Sequence, residues 1–243
     1  MNKLVVIFLA LIAGFTHVTV AQEFHKDVIE TVGGDLTITF IGHGTLMFEY
    51  QDNVIHIDPW TRLADYTKLP KADLIMITHD HGDHLDIEAI EACKKEGTQI
   101  VLTELCRKKI KQGEVLKNGD YYSFAGISIE AVAAYNILAR RGNGQPYHKK
   151  GDGNGYIISF VNTRVYVAGD TELIPEMNKF PQINIAFLPM NLPYTMSPEM
   201  VAMVADKLEP DILYPYHFGE TNTQLLTKVL MGRGIDVRIR AMK

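Results

Sequence analysis

A continuous apolar run, Leu74-Ile75-Met76-Ile77, stops directly at Thr78-His79-Asp80-His81-Gly82-Asp83-His84. Apolar residues without polar alternation predict a strand buried on both faces, which requires a sheet covered by further layers on each side. The chain therefore delivers three imidazoles to a loop at the C-terminal end of a buried strand. Imidazoles two residues apart can address one metal ion while Asp83 and His84 address a second position, and nitrogen with carboxylate donors suits zinc, manganese or iron. A solvated polar loop is the alternative, but three of the chain's nine histidines fall within these six residues, His79 to His84.

The remaining sequence supplies the layers. Residues 36–41, 46–50 and 54–57 read as a meander of hairpins, separated by Gly42-His43-Gly44 and Gln51-Asp52-Asn53. After the histidine string, Asp86 predicts the cap of a helix running to Lys95 with Gly97 as its stop, then a strand over 99–102 and a helix over 104–111. The order repeats with strands over 127–133, 156–161, 165–168 and 183–188, a helix from Ser197-Pro198-Glu199 to Leu208, and closing strands over 212–214 and 237–239. Two halves with strands first and helices afterwards predict an α+β fold of two sheets packed face to face, helices outside. No linker, charge block or repeat divides residues 22–243, which read as one domain. The long Gly-rich, basic loop over 135–154 has a length that is commonly functional.

Ahead of this, Lys3, ten apolar residues from Leu4 to Ala13, and Thr19-Val20-Ala21 before Gln22-Glu23 have the pattern of a cleaved export signal over residues 1–21. The apolar stretch is short of the roughly 20 residues that span a bilayer. A periplasmic or secreted chain without a transmembrane anchor after cleavage is expected. Lys+Arg 24 against Asp+Glu 29 gives a net charge of −5, which leaves no excess positive charge for broad capture of nucleic acid. Cys93 and Cys106 fit neither a disulfide framework nor a thiolate-rich zinc site; their pairing, like the oligomeric state, is not written in the sequence.

In the order of its motifs the chain resembles the metallo-β-lactamase superfamily of hydrolases. The resemblance spans essentially all of residues 22–243: the opening hairpins, H-x-H-x-D-H after a buried strand, Ala168-Gly169-Asp170-Thr171 after a later one, and Pro215-Tyr216-His217-Phe218-Gly219 near the end. It implies a four-layer αβ/βα sandwich with a dimetal site along one sheet edge. It further implies two divalent ions, zinc first, with manganese, iron and nickel as alternatives, bridged by Asp170. His79, His81 and a third histidine would hold one ion, and Asp83, His84 and His217 the other. The third histidine is His148, in Pro146-Tyr147-His148-Lys149-Lys150-Gly151 rather than the commoner Gly-His-Thr-x-Gly-His context; a loop histidine or substrate contact is its other reading. Two such ions can share a water whose pKa falls toward about 7, and Asp83 would carry a proton to the leaving group.

Asp58, in Ile57-Asp58-Pro59-Trp60, resembles the family's carboxylate that orients a ligand histidine through its other ring nitrogen, with a turn Asp before proline as the alternative. His43, in Gly42-His43-Gly44-Thr45, and Tyr194-Thr195-Met196 resemble the branch that includes ascorbate-6-phosphate lactonase and N-acyl-phosphatidylethanolamine phospholipase D. His43 would contact substrate or leaving group there, or be a structural hairpin histidine. His56 reads as structural. Arg140, Arg141, Lys149 and Lys150 either meet an anionic substrate or stand solvated.

The function expected from this resemblance is an exported dimetal hydrolase cleaving an ester-type bond, whether phosphoester, lactone or related, in a small-molecule or lipid substrate. Classical β-lactamases usually have cysteine where Asp170 lies, which ranks β-lactam hydrolysis lower. An iron-binding redox or oxygen-handling protein on the same scaffold and a non-catalytic binding module are the other readings.

Overall fold

Each half of the chain builds one sheet in the same way. In a computed structural model describing residues 22–242, the first sheet opens with β1 (His25–Thr31), β2 (Gly34–Gly42), β3 (Thr45–Tyr50) and β4 (Asn53–Ile57), paired antiparallel as a meander. Three strands then add in parallel: β5 (Leu74–Met76), β6 (Gln99–Leu102) and β7 (Glu114–Val115). The second sheet repeats the scheme. β8 (Tyr121–Phe124), β9 (Ile127–Ala134), β10 (Gly153–Phe160) and β11 (Thr163–Val167) run antiparallel, and β12 (Ile185–Pro189), β13 (Ile212–Tyr216) and β14 (Asp236–Val237) follow in parallel. Helices α1 (Ile87–Cys93) and α2 (Glu104–Ile110) belong to the first half, α3 (Pro198–Leu208) and α4 (Thr223–Val229) to the second. The result is an α+β sandwich of two seven-stranded sheets. The export signal expected over residues 1–21 lies outside the described residues.

Strand periodicity decides what each sheet face buries. Along β3, Leu46, Phe48 and Tyr50 enter the core between the sheets, while Met47 enters the layer shared with α1 and α2. The run that ends at the histidine string does the same: Leu74 and Met76 face the inter-sheet core, Ile75 and Ile77 the helical layer with Ile90, Cys93 and Cys106. Aromatic rings tie the sheets together, Phe40 lying 5.0 Å from Tyr214 and Tyr50 lying 4.9 Å from Phe160 between ring centroids. Both cysteines are buried and free, so they do not pair.

Several element boundaries differ from expectation. β1 and β8 are edge strands whose alternating exposure leaves no apolar run to read. The helix capped by Asp86 stops at Cys93 because Lys94 is extended, and β10 stops at Phe160 because Val161 turns at φ 57°. β13 runs on through Pro215, which the strand tolerates because β14 pairs only with Ile212 and Leu213. α4 is a helix beyond those expected, capped by Asn222, whose side chain accepts from Gln224 N–H. Among the described residues no helix is long and apolar enough to cross a membrane.

The segments with chemistry leave C-terminal ends of strands. His43 follows β2, Asp58 follows β4, the histidine string follows β5, His148 lies between β9 and β10, Asp170 follows β11 and His217 follows β13. His43, Asp58 and His217 have positive φ, at 51°, 46° and 46°. A left-handed backbone at a non-glycine residue is costly, and such positions concentrate where a side chain must be aimed. A backbone bond from His217 N–H to His43 C=O, 2.9 Å long, fastens the two segments.

Candidate metal centre

Three imidazole nitrogens form a tripod. His81 Nδ1 lies 3.1 Å from His79 Nε2 and 3.2 Å from His148 Nε2. Tetrahedral zinc with Zn–N bonds of about 2.0–2.1 Å has nitrogen–nitrogen edges of about 3.3 Å, so the tripod matches that coordination. A second group gathers His43, Asp83, His84 and His217. Asp83 Oδ2 lies 3.6 Å from His217 Nε2, 3.8 Å from His84 Nε2 and 3.1 Å from His43 Nε2. Asp170 stands between the groups: Oδ2 is 3.2 Å from His148 Nε2 and 3.5 Å from His217 Nε2, and Oδ1 is 3.6 Å from His84 Nε2. All seven side chains read from the sequence as ligands therefore converge, and His43 joins them.

Neighbours of the histidines fix which nitrogen faces inward. Thr78 spends its hydroxyl proton on Asp58 Oδ2 at 2.5 Å, so the same oxygen can only accept from His79 Nδ1–H at 3.0 Å, leaving His79 Nε2 as a lone pair. Asn136 Oδ1 accepts from His148 Nδ1–H at 2.8 Å and from the His148 backbone N–H at 2.7 Å, which frees His148 Nε2 in the same way. The Asn136 amide is oriented by its NH2, which donates to Tyr194 C=O and to Glu172. His84 donates Nδ1–H to Asp58 Oδ2 at 2.8 Å and turns Nε2 toward Asp170. A hydrogen bond to the outer nitrogen is how proteins set the tautomer and basicity of a ligating imidazole.

The electrostatics fit a bound cation. Among the described residues, buried His84 Nε2, both ring nitrogens of His217 and Asp170 Oδ1 have no hydrogen-bond partner. Polar atoms are buried at a cost of a few kcal/mol each unless something compensates them. Burial and the neighbouring His84 push His79 well below its ordinary pKa, keeping it a neutral donor. Burial opposes ionisation of Asp170, yet His217 and His84 hold its carboxyl well below the usual range. Burial likewise acts against the charge on His84, but Asp170 and Asp58 raise it to about 9. A nitrogen and carboxylate set of this kind accommodates divalent ions of the zinc type.

The sequence model of the β-lactamase superfamily domain matches residues 37–217. The chain belongs to the metallo-β-lactamase superfamily. It is similar to a UPF0173 metal-dependent hydrolase of Methanopyrus kandleri, 29% identical over 84% of this chain and 95% of that one. A solved structure from Parabacteroides distasonis, described as a metal-dependent hydrolase, is 49% identical with a TM-score of 0.87, covering 91% of this chain and all of that one. Igni18, a metallo hydrolase from Ignicoccus hospitalis, is 26% identical with a TM-score of 0.71 over 85% of this chain and 95% of its own.

In this superfamily member the cluster opens onto a cleft of about 480 Å³, lined by His43, His81, Asp83, Arg141, Tyr147 and Tyr194 among others. Of the loop cations, Arg141 alone lines this cleft. Lys150 pairs with Glu176 at 2.6 Å, and Arg140 donates to carbonyls of its own loop. His56 is buried away from the cluster, with Nε2 2.9 Å from Pro70 C=O.

Sequence reasoning missed Thr78, Asn136 and Glu172. Glu172, 1% exposed, accepts from the backbone N–H groups of Ile137, Leu138 and Ala139 and from Asn136 Nδ2. It thereby anchors the start of the loop that carries both His148 and Arg141. Its place two residues after Asp170 was the sole local signal.

Proposed function

We propose that this chain is an exported dimetal hydrolase, with zinc as its ion, that cleaves an ester-type bond, phosphoester, lactone or related, in a small-molecule or lipid substrate. The reading is carried by one observation: a three-nitrogen tripod and a second donor group joined by the buried carboxylate of Asp170. The names of its relatives support metal-dependent hydrolysis. The nitrogen-rich tripod favours zinc, and a carboxylate at Asp170 rather than a thiolate favours ester chemistry over lactams. Export rests on the Lys3, Leu4 to Ala13 and Ala21 pattern of the first 21 residues.

His79, His81 and His148 would hold one ion, Asp83, His84 and His217 the second, and Asp170 both. Divalent ions bound there would supply Lewis-acid polarisation of the scissile group and lower the pKa of a water toward neutral pH. The protein's own groups do the rest. Asp58, Thr78 and Asn136 bond the outer nitrogens of His84, His79 and His148 and so fix which edge of each ring faces the cluster, and the site needs little rearrangement when substrate arrives. Asp83 is the partly exposed carboxylate of the cluster, its side chain 34% accessible. Burial acts against its ionisation, but the His217 imidazole 3.6 Å away and the hydrogen bond with His43 hold it far below the usual carboxylate range. With His43 Nε2 at 3.1 Å and both residues lining the cleft, the ionised pair can take the proton that the attacking water loses and return it to the departing alkoxide.

Metal analysis of the chain from Gln22 onward tests the reading, with two equivalents of zinc expected. Bis(4-nitrophenyl) phosphate, a γ-lactone and nitrocefin are then offered as substrates. Turnover of an ester or lactone, abolished by His81→Ala, is the expected result; metal-free protein, or nitrocefin as the sole substrate, overturns it.

A further inference from the structure

Arg141 is set up to bind something the protein does not supply. It sits in a tight turn, its N–H bonded to Gln145 C=O at 2.7 Å and its C=O receiving Gly144 N–H at 2.8 Å, with Arg140 bridged to Pro146. Its guanidinium lies 5.0 Å over the Tyr147 ring, and that ring meets Tyr194 edge-on at 5.0 Å. Among the described residues the guanidinium's hydrogen bonds come from Nη2 alone, to Tyr147 C=O at 3.2 Å and toward His81 Nε2 at 3.4 Å. Among the described residues no carboxylate pairs with it. A stacked guanidinium with free N–H groups is a preorganised fork for an oxyanion.

His81 ties Arg141 to the site. Its Nδ1 faces the tripod, and its Nε2 lies 3.4 Å from Arg141 Nη2 at the wall of the cleft. Among the described residues Arg141 Nε and Nη1 donate to no protein acceptor, and an oxygen of a bound anion satisfies them.

We propose that Arg141, at the wall of the cleft beside His81, forms a subsite for an anionic arm of the substrate, a carboxylate or phosphate-type oxyanion carried beside the scissile ester. This rests on the dimetal-hydrolase reading and names the substrate class of that site. The arm would lie along the wall formed by Arg141 and Tyr147 while the ester reaches Asp83 and His43.

The test uses the zinc-loaded chain and three chromogenic esters of similar length: 4-nitrophenyl hydrogen glutarate, 4-nitrophenyl 3-phosphonopropionate and the neutral 4-nitrophenyl methyl glutarate. At least one charged ester is expected to exceed the neutral one in kcat/KM by about 30-fold, chiefly through KM, the scale of charge-assisted hydrogen bonds. Which charged ester is preferred distinguishes a carboxylate from a phosphate-type arm. Arg141→Gln should collapse the ratio, Arg141→Lys should restore part of it because an ammonium cannot fork, and Arg140→Gln should keep it. No anionic preference in the wild type, an unchanged ratio in Arg141→Gln, or an equal collapse in Arg140→Gln overturns the proposal. If none of these esters is hydrolysed, calorimetric titration with phenylphosphonate decides the subsite independently of the hydrolase reading, which its own phosphodiester and lactone assays test. Binding about tenfold weaker to Arg141→Gln than to wild type supports it; equal binding overturns it.

Discussion

His84 Nδ1 lies 2.8 Å from Asp58 Oδ2, and that contact decides which edge of the imidazole looks into the cluster. Asp58 also accepts from the Thr78 N–H and hydroxyl, so one buried carboxylate orients His84 directly and His79 through Thr78. Asp58→Asn keeps a residue type that tolerates φ 46° but offers an amide NH2 to His84, reversing the tautomer. Zinc affinity is expected to fall about 10–100-fold, the usual scale for such partners, as read by chelator competition. Wild-type affinity in this variant would contradict the assigned tautomer.

Asn136 plays the equivalent part for His148, twelve residues on. Asn136→Ala removes the acceptor for two buried N–H groups and a donor to Glu172. A loss of about 1–3 kcal/mol of stability is expected from the unsatisfied groups. Under limiting zinc, stoichiometry should drop toward one ion, and mass spectrometry of the native protein would register it.

At Gly44 the backbone passes close to two of the imidazoles. A Cβ there would stand 2.8 Å from His84 Cε1 and 3.5 Å from His217 Cδ2. His84 cannot yield without breaking its bond to Asp58, so Gly44→Ala should both weaken zinc uptake and cost about 1–3 kcal/mol in a urea melt. A variant with unaltered urea midpoint and zinc content would show that the ring has room to move.

Far from the cluster, Asp27 on β1 joins the two sheets through Arg240 Nη2 at 2.7 Å and the Tyr214 hydroxyl at 2.5 Å. Burial pushes its carboxyl up, but Tyr214 and Arg240 prevail and hold it below the ordinary 3.8. The folded state therefore gains stability from this group above about pH 4, and loses it as pH falls through the lowered folded value. Asp27→Asn is expected to lower stability at pH 7 by about 2 kcal/mol and to flatten the acid limb of a stability–pH curve. An acid limb identical to wild type would place the acid-sensitive group elsewhere.

Removing metal should be visible as lost stability, because ions that bind only the folded chain stabilise it by mass action. Zinc at about a thousand times its Kd is worth about 4 kcal/mol, which for a chain of this size shifts Tm by about 8–16 °C. Calorimetry before and after chelation checks this, and superimposable melts would rule out the cluster as an ion site.

The residues that announce themselves in the sequence are those whose signal is local. An unbroken apolar run needs only neighbouring residues to predict a strand covered on both faces, and the histidine string follows it within one turn of chain. Asp86, Ser197 and Pro198 likewise declare helix starts by short-range capping chemistry. Family resemblance then added Asp170 and His217. The edge strands β1 and β8 escaped because a strand facing solvent carries no apolar pattern.

What only the tertiary structure decided depends on partners distant in the chain. Which nitrogen of each imidazole faces inward is set by Asp58, Thr78 and Asn136, since a tautomer is chosen by a hydrogen bond and not by spacing. That Glu172 grips the backbone of residues 137–139, and that Arg141 reaches His81 across sixty positions while Lys150 pairs with Glu176, follows from how the loop lies on the folded sheets. Four cations in one loop are equivalent as sequence. Packing makes them different.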